Sequence, residues 1–163
     1  MHKTNLQLPE IKLVGITTRT NNMNEMNQET AKIGSMIQKY FSQGLSNKIS
    51  HRKTPGITYC VYTNYESDFT GDYSYFIGEE VSSLEDIASD FEKLSIPVQR
   101  YTKFTAGPGK MPDVCIHAWQ KIWQMDASDL NGNRSYIADF EVYDERSVDP
   151  NHTTFDIFIG VKA

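Results

Sequence analysis

The chain contains only two cysteines, Cys60 and Cys115, and they form no Cys-x-x-Cys pair. No disulfide framework or zinc knuckle can be read from them, and reduced thiols in the cytoplasm are the expectation. No apolar run approaches the ~18 residues of a membrane helix, and the N-terminal segment shows no signal-peptide pattern. Without a secretory signal, Asn133-Arg134-Ser135 and Asn151-His152-Thr153 carry no weight as glycosylation sites. Basic charge is also scarce: 16 Lys and Arg stand against 21 Asp and Glu, for a net charge of −5 and a pI near 5.3. Nucleic-acid binding draws its affinity from Lys and Arg that neutralise phosphates. Here the densest basic cluster, His51-Arg52-Lys53, is short and reads as a solvated loop. Direct contact with DNA or RNA is not expected; a DNA-reading module would be a separate protein.

Catalytic and cofactor signatures are missing too. Gly107-Pro108-Gly109-Lys110 resembles the end of a phosphate-binding loop, but Phe104 and Met111 stand where that loop needs Gly and Ser or Thr. It reads as a strand-to-helix turn. His2, His51, His117 and His152 show no metal-ligand spacing with one another or with the cysteines. No serine sits in a nucleophile elbow. Cys115 and His117 are two apart on a helix and cannot face each other. No catalytic residue, metal or cofactor is expected.

Aromatic side chains are plentiful: nine Tyr, eight Phe and two Trp in 163 residues. Such rings give large contact area at low entropic cost, and some of them are candidates to face a ligand. The length suits one domain spanning 1–163.

Within it, Ile11–Thr20 reads as a strand and Asn21–Asn27 as a loop. A helix runs from Gln28 to Gly44, with Ile33, Met36, Ile37, Tyr40 and Phe41 on one stripe. Two strands follow, Ile57–Tyr65 and Tyr73–Ser82. The order then recurs. Leu94–Ala106 reads as a strand and Pro112 opens a helix that carries Cys115, Ile116, Trp119, Ile122 and Trp123. Strands follow at Tyr136–Asp144 and Thr154–Lys162. Residues 84–93 form a short helical or irregular connector. Cys60-Val61-Tyr62 corresponds to Glu141-Val142-Tyr143, and Phe76-Ile77-Gly78 to Phe158-Ile159-Gly160. The matched order implies a duplication, with one repeat over 1–83 and the other over 94–163. The expected fold is α+β: duplicated βαββ units form an antiparallel sheet with two main helices and a central ligand cleft between them.

Glu141 is the sharpest candidate. It lies inside a strand, where a wet sheet face would simply point it to water. Its repeat partner is Cys60, a residue type that prefers burial, which favours a carboxylate facing the shared cleft. A buried charge needs a partner, and no basic residue in the same strand supplies one. A cationic ligand would. Trp119 and Trp123, four apart on one helix, either pack in the core or wall the cleft.

These residues resemble a known family. The segments are Tyr75-Phe76-Ile77-Gly78-Glu79-Glu80-Val81, Ile96-Pro97-Val98 with Tyr101-Thr102-Lys103-Phe104-Thr105, Ile116 through Trp123, Asp139-Phe140-Glu141-Val142-Tyr143-Asp144, and Asp156-Ile157-Phe158-Ile159-Gly160-Val161-Lys162. Together they look like the gyrase-inhibitor-like effector-binding domain, found at the C-terminus of many AraC-type and multidrug-responsive transcription regulators and also alone. The resemblance implies a pocket for amphipathic, often cationic, aromatic compounds, with Glu141 as the pocket carboxylate. It places Tyr40, Tyr75, Trp119 and Phe158 around that carboxylate, and Trp123 and Tyr143 join them as candidate lining. Gly160 stands where the family usually has proline, which is expected to loosen the last strand. No helix-turn-helix is read ahead of the domain.

The expected partner is a small cationic or amphipathic molecule, bound by a monomer or homodimer. Two other readings stay open: a protein-interaction module of the gyrase-inhibitor type, and a hydrolase that uses Glu141 as general base.

Overall fold

The computed structural model describes residues 1–162. Strand β1 (His2–Leu8) leads into β2 (Ile11–Thr20), a four-residue helix α1 (Asn22–Glu25) and helix α2 (Ile33–Ser42). Strands β3 (Thr58–Thr63), β4 (Tyr73–Glu80), β5 (Glu92–Ile96) and β6 (Gln99–Gly109) follow. Helix α3 (Asp113–Trp123), a short α4 (Ala127–Leu130), and strands β7 (Asn133–Arg134), β8 (Ala138–Tyr143) and β9 (Thr153–Lys162) complete the order. The fold is the expected α+β class: an open antiparallel sheet carrying two main helices.

The strands run β1-β6-β9-β8-β3-β4-β2-β5, with β7 extending the β8 side of β9. This order reads the same from either end when β1, β2, β3 and β4 are exchanged for β5, β6, β8 and β9. The centre of the palindrome is the β3–β8 pair, where Cys60 lies directly opposite Glu141. Each outer strand crosses over: β1 precedes β2 but pairs with β6, and β5 precedes β6 but pairs with β2.

The sheet has two different faces. Under α2 and α3 lie Val14, Cys60, Tyr73, Tyr75 and Ile77 on one side and Phe104, Phe155, Ile157 and Ile159 on the other. The opposite face bears no helix, yet Val61, Phe76, Tyr101, Phe140 and Phe158 are buried there, packed by Leu6, Leu8 and Leu94 from the outer strands. Strand β2 lies very close to β4: a Cβ at Gly15 would stand 2.0 Å from the Ile77 carbonyl oxygen, so only glycine fits there.

Several boundaries differ from the sequence reading. The strand expected over Leu94–Ala106 is two strands, broken at Pro97-Val98, because proline offers no N–H to continue the ladder. Glu92 and Lys93, expected in the connector, belong to β5, and the rest of that connector holds no helix. Strand β1 escaped the reading, since as an exposed edge only Leu6 and Leu8 give it apolar character. Helix α2 starts at Ile33 rather than Gln28 because the Glu25 carboxylate receives the Lys32 and Ile33 N–H groups at 2.9 and 3.0 Å and fixes the first turn there. Gly160 does not loosen β9. Its N–H donates to Asp139 Oδ1 at 2.8 Å, and the Gln99 side chain occupies the place of a Cβ, 2.6 Å away at its nearest.

Candidate functional site

Period-two alternation along β8 puts Asp139, Glu141 and Tyr143 on the helix-bearing face and Phe140 and Val142 on the other. Glu141 is 2% exposed. Its Oε2 accepts from the Trp119 indole N–H at 2.6 Å and the Tyr62 hydroxyl at 2.7 Å, and the Cys115 thiol approaches at 3.6 Å. Its Oε1 accepts from the Tyr143 hydroxyl at 2.6 Å. Among the described residues, ion pairs are made by Glu79, Glu80, Asp139, Asp144 and Asp156, and none by Glu141. A fully buried carboxylate thus sits in a ring of neutral donors with no cation.

That ring is assembled from three elements. Tyr62 projects from β3 two residues beyond Cys60, and Tyr143 from β8 two residues beyond Glu141. Cys115 and Trp119 share one face of α3, four residues apart. Edge-to-face contacts hold Tyr62 against Trp119 at 4.9 Å and against Tyr75 at 5.3 Å, while Tyr143 stacks on Phe155 at 4.8 Å. Burial, reinforced by the neighbouring Glu141 charge, pushes the Tyr62, Tyr143 and Cys115 protons well above their ordinary pKa range. These groups therefore stay protonated and able to donate. Cys60 is raised in the same way and is not a thiolate nucleophile.

Of the residues expected in the site, Glu141, Trp119 and Tyr143 are in direct contact. Tyr75 lies one layer behind, against Tyr62. Tyr40 is completely buried beneath α2 and makes no bond to Glu141. Trp123 is half-buried, its ring stacked on Phe69 of the β3–β4 loop at 5.9 Å, and it makes no bond to Glu141. Phe158 lies on the opposite face of the sheet, stacked on Phe140 at 4.7 Å, because its position in β9 is out of phase with Ile157 and Ile159. The sequence reading did not include Tyr62 and Cys115. The repeat carried a signal for Tyr62, the counterpart of Tyr143; the helical stripe carried one for Cys115.

A cavity of about 170 Å³ is lined by Ile37, Phe41, Cys60, Ile77, Met111 and Tyr143, among others. Its wall residue Tyr143 is the one bonded to Glu141, so cavity and carboxylate are separated by a single phenol. Phe41, 56% exposed, is on its α2 side. A larger concavity of about 490 Å³ lies along the flank of α3, lined by Gly107–Lys110, His117 and Lys121. It has no Tyr, Phe or Trp in its walls and includes none of the residues bonded to Glu141, whereas the smaller cavity includes Tyr143. Among the described residues no helix is long and apolar enough to cross a membrane, and no group of three or more His, Cys, Asp or Glu is placed to hold a metal.

Comparison with known proteins gives a consistent set of relatives. The family model for Cass2, integron-associated effector binding protein, matches residues 6–161. The integron cassette protein VCH_CASS2, from the mobile metagenome of Vibrio cholerae, is 30% identical in its crystal structure. That match covers 98% of this chain and 95% of that one, with a TM-score of 0.76. SAV2435, solved bound to tetraphenylphosphonium, is 21% identical over 100% of this chain and 95% of its own, with a TM-score of 0.77. YobU of Bacillus subtilis (strain 168), described as a candidate transcriptional regulator, is 26% identical over 161 residues, which is 99% of this chain and 97% of that protein.

Proposed function

The chain belongs to the Cass2 family of integron-associated effector binding proteins, and from that premise we propose that it binds small lipophilic aromatic cations in the cleft around Glu141. The fold is the gyrase-inhibitor-like effector-binding fold that the sequence resembles. One observation carries the reading: Glu141 is buried, held by three strong donors, and has no cationic partner. Burying such a charge is costly unless something cationic joins it.

The arrangement also selects the kind of cation. A carboxylate offers about four lone-pair sites; Tyr62, Trp119 and Cys115 crowd Oε2 and Tyr143 takes one site on Oε1, which leaves little room for further donors. A cation without N–H or O–H groups, such as a phosphonium or quaternary ammonium, needs only the electrostatic field and apolar walls. That SAV2435 was solved with tetraphenylphosphonium supports this class of ligand. The cavity of about 170 Å³ is smaller than the roughly 300 Å³ or more of drug-sized sites. Occupation therefore displaces the Tyr143 and Phe41 side chains and brings the ligand against Trp119 and Tyr62. The protein acts in this reading as a cytoplasmic capture or sensing module without turnover.

Calorimetric titration with tetraphenylphosphonium and with neutral triphenylphosphine oxide tests the proposal. The expected result is binding of the cation only, accompanied by quenching of tryptophan emission as rings meet indole. Equal affinity for both compounds, or binding of neither, would overturn it. Mass spectrometry of the recovered ligand addresses the hydrolase reading: a product carrying added water would replace sequestration with catalysis by Glu141.

A further inference from the structure

Besides Glu141 and the Arg134-paired Asp139, the helix-bearing face holds a third buried carboxylate, Glu79, 2% exposed. Its Oε2 takes both available partners: the Arg52 guanidinium at 3.6 Å and the Gly56 N–H at 3.4 Å. Its Oε1 is buried and makes no hydrogen bond, and neither does the Tyr40 hydroxyl of α2, which is near enough for the Glu79 charge to add to the upward push that burial gives its pKa. Two unpartnered polar atoms at one place in a core are expensive, and native proteins seldom leave them so.

Sheet register relates this place to the cavity. Across β8, β3 and β4 one row of inward side chains is Glu141, Cys60 and Ile77. The next row is Tyr143 and Thr58, and continuing the β3–β4 register one step past Tyr59 and Gly78 sets Glu79 beside Thr58. Thr58, Cys60, Ile77 and Tyr143 all line the cavity. The two carboxylates adjoin this lining at diagonally opposite corners, Glu141 beside Cys60 and Glu79 beside Thr58, each one side chain back from the cavity itself. Strands about 4.8 Å apart and side chains about 6.7 Å apart along a strand put their α-carbons roughly 12 Å apart. Helix α2 covers the second corner: Ile37 and Phe41 line the cavity and Tyr40 lies between them in sequence.

We propose that the cleft is ditopic: a lipophilic cation at Glu141 is read together with a hydrogen-bond-donating group at the far end of the same molecule, which Glu79 Oε1 and the Tyr40 hydroxyl receive. This rests on the cation-binding reading of Glu141 and narrows it to elongated ligands. Arg52 already offsets much of the Glu79 charge, so the far group is selected mainly by hydrogen bonding, and an amidine suits it.

The test uses (biphenyl-4-yl)trimethylammonium and its 4′-amidino derivative, a rigid pair long enough to span the diagonal, titrated calorimetrically into the whole chain. The amidino compound should bind at least tenfold more tightly, the scale of one hydrogen bond to a charged group. In Glu79→Gln that preference should fall to about threefold or less, and in Arg52→Gln it should grow, because Glu79 loses its internal cation. Binding of the parent compound that depends on Glu141, with no preference for the amidine, would overturn the ditopic proposal and leave the function standing. Failure of both compounds to bind would overturn the function itself. An amidine preference that persists in Glu79→Gln would also overturn the proposal, since the far group would be held elsewhere.

Discussion

Replacing Glu141 by glutamine removes a charge and keeps the shape, and the surrounding donors set the size of the effect. The Trp119 indole can only donate, so the amide oxygen must take the place of Oε2, where it also receives Tyr62. The amide nitrogen then stands at Oε1, and the Tyr143 hydroxyl, 2.6 Å away, can turn and accept from it. All three bonds survive without charge assistance, a loss of roughly 1 kcal/mol each. Opposing this is relief from burying an uncompensated carboxylate, several kcal/mol. The two nearly cancel, and the melting temperature should move by no more than about 4 °C. Glu141→Leu leaves the three donors orphaned at about 1–3 kcal/mol each, and melting should fall by roughly 10 °C or more. Affinity of Glu141→Gln for tetraphenylphosphonium should drop about ten- to a hundredfold, the worth of one interaction with a charged group. Calorimetry of binding and of unfolding on the three proteins measures all of these. If glutamine destabilises as much as leucine while affinity holds, the carboxylate is only a framework for Tyr62, Trp119 and Tyr143, and the argument for a cation trap fails.

Alkaline unfolding should be steep. The phenols of Tyr62, Tyr65, Tyr75 and Tyr143 are raised well above their ordinary value and that of Tyr101 to about 12, all chiefly by burial. Their contribution is fully present below the unfolded pKa of about 10 and is lost as pH climbs from there toward the folded values. Tyrosinate absorbance from these residues should appear together with loss of structure; a separate, earlier titration in folded protein would contradict their burial. Asp139→Asn should cost about 3–5 kcal/mol in urea unfolding. It leaves Arg134, whose side chain is 8% exposed, without its carboxylate at 2.5 Å and weakens the bond from Tyr65 at 2.6 Å; a change below about 1 kcal/mol would mean that the pair is solvated. Cys60 and Cys115, both held protonated, should resist iodoacetamide in the native protein at neutral pH and react on unfolding; rapid native labelling of either would refute this.

Much of the architecture was legible in the chain because hydrophobic period is a local property. Strand β2 came out at its observed bounds, α3 began beside Pro112, and β8 and β9 followed from alternating apolar residues. Glu141 stood out because a carboxylate occupied a slot whose repeat partner was cysteine. Cross-chain pairing was not legible: nothing within His2–Leu8 says that it will pair with β6 rather than with its own neighbour, since edge pairing is decided by backbone groups that every sequence shares. The phase of β9 was equally hidden. Both faces of that strand are buried, so apolar content could not tell Phe158 from Ile157, and only the sheet's register sends one to the helix-free core and the other toward the cleft. The same holds for Glu79, an acidic residue in a strand like any other until the register set it beside Thr58 and α2 brought Tyr40 near it. Sequence determined which side chains could do chemistry. The folded sheet decided which of them meet, because contacts across strands depend on register and sheet face, and neither is written in any single segment.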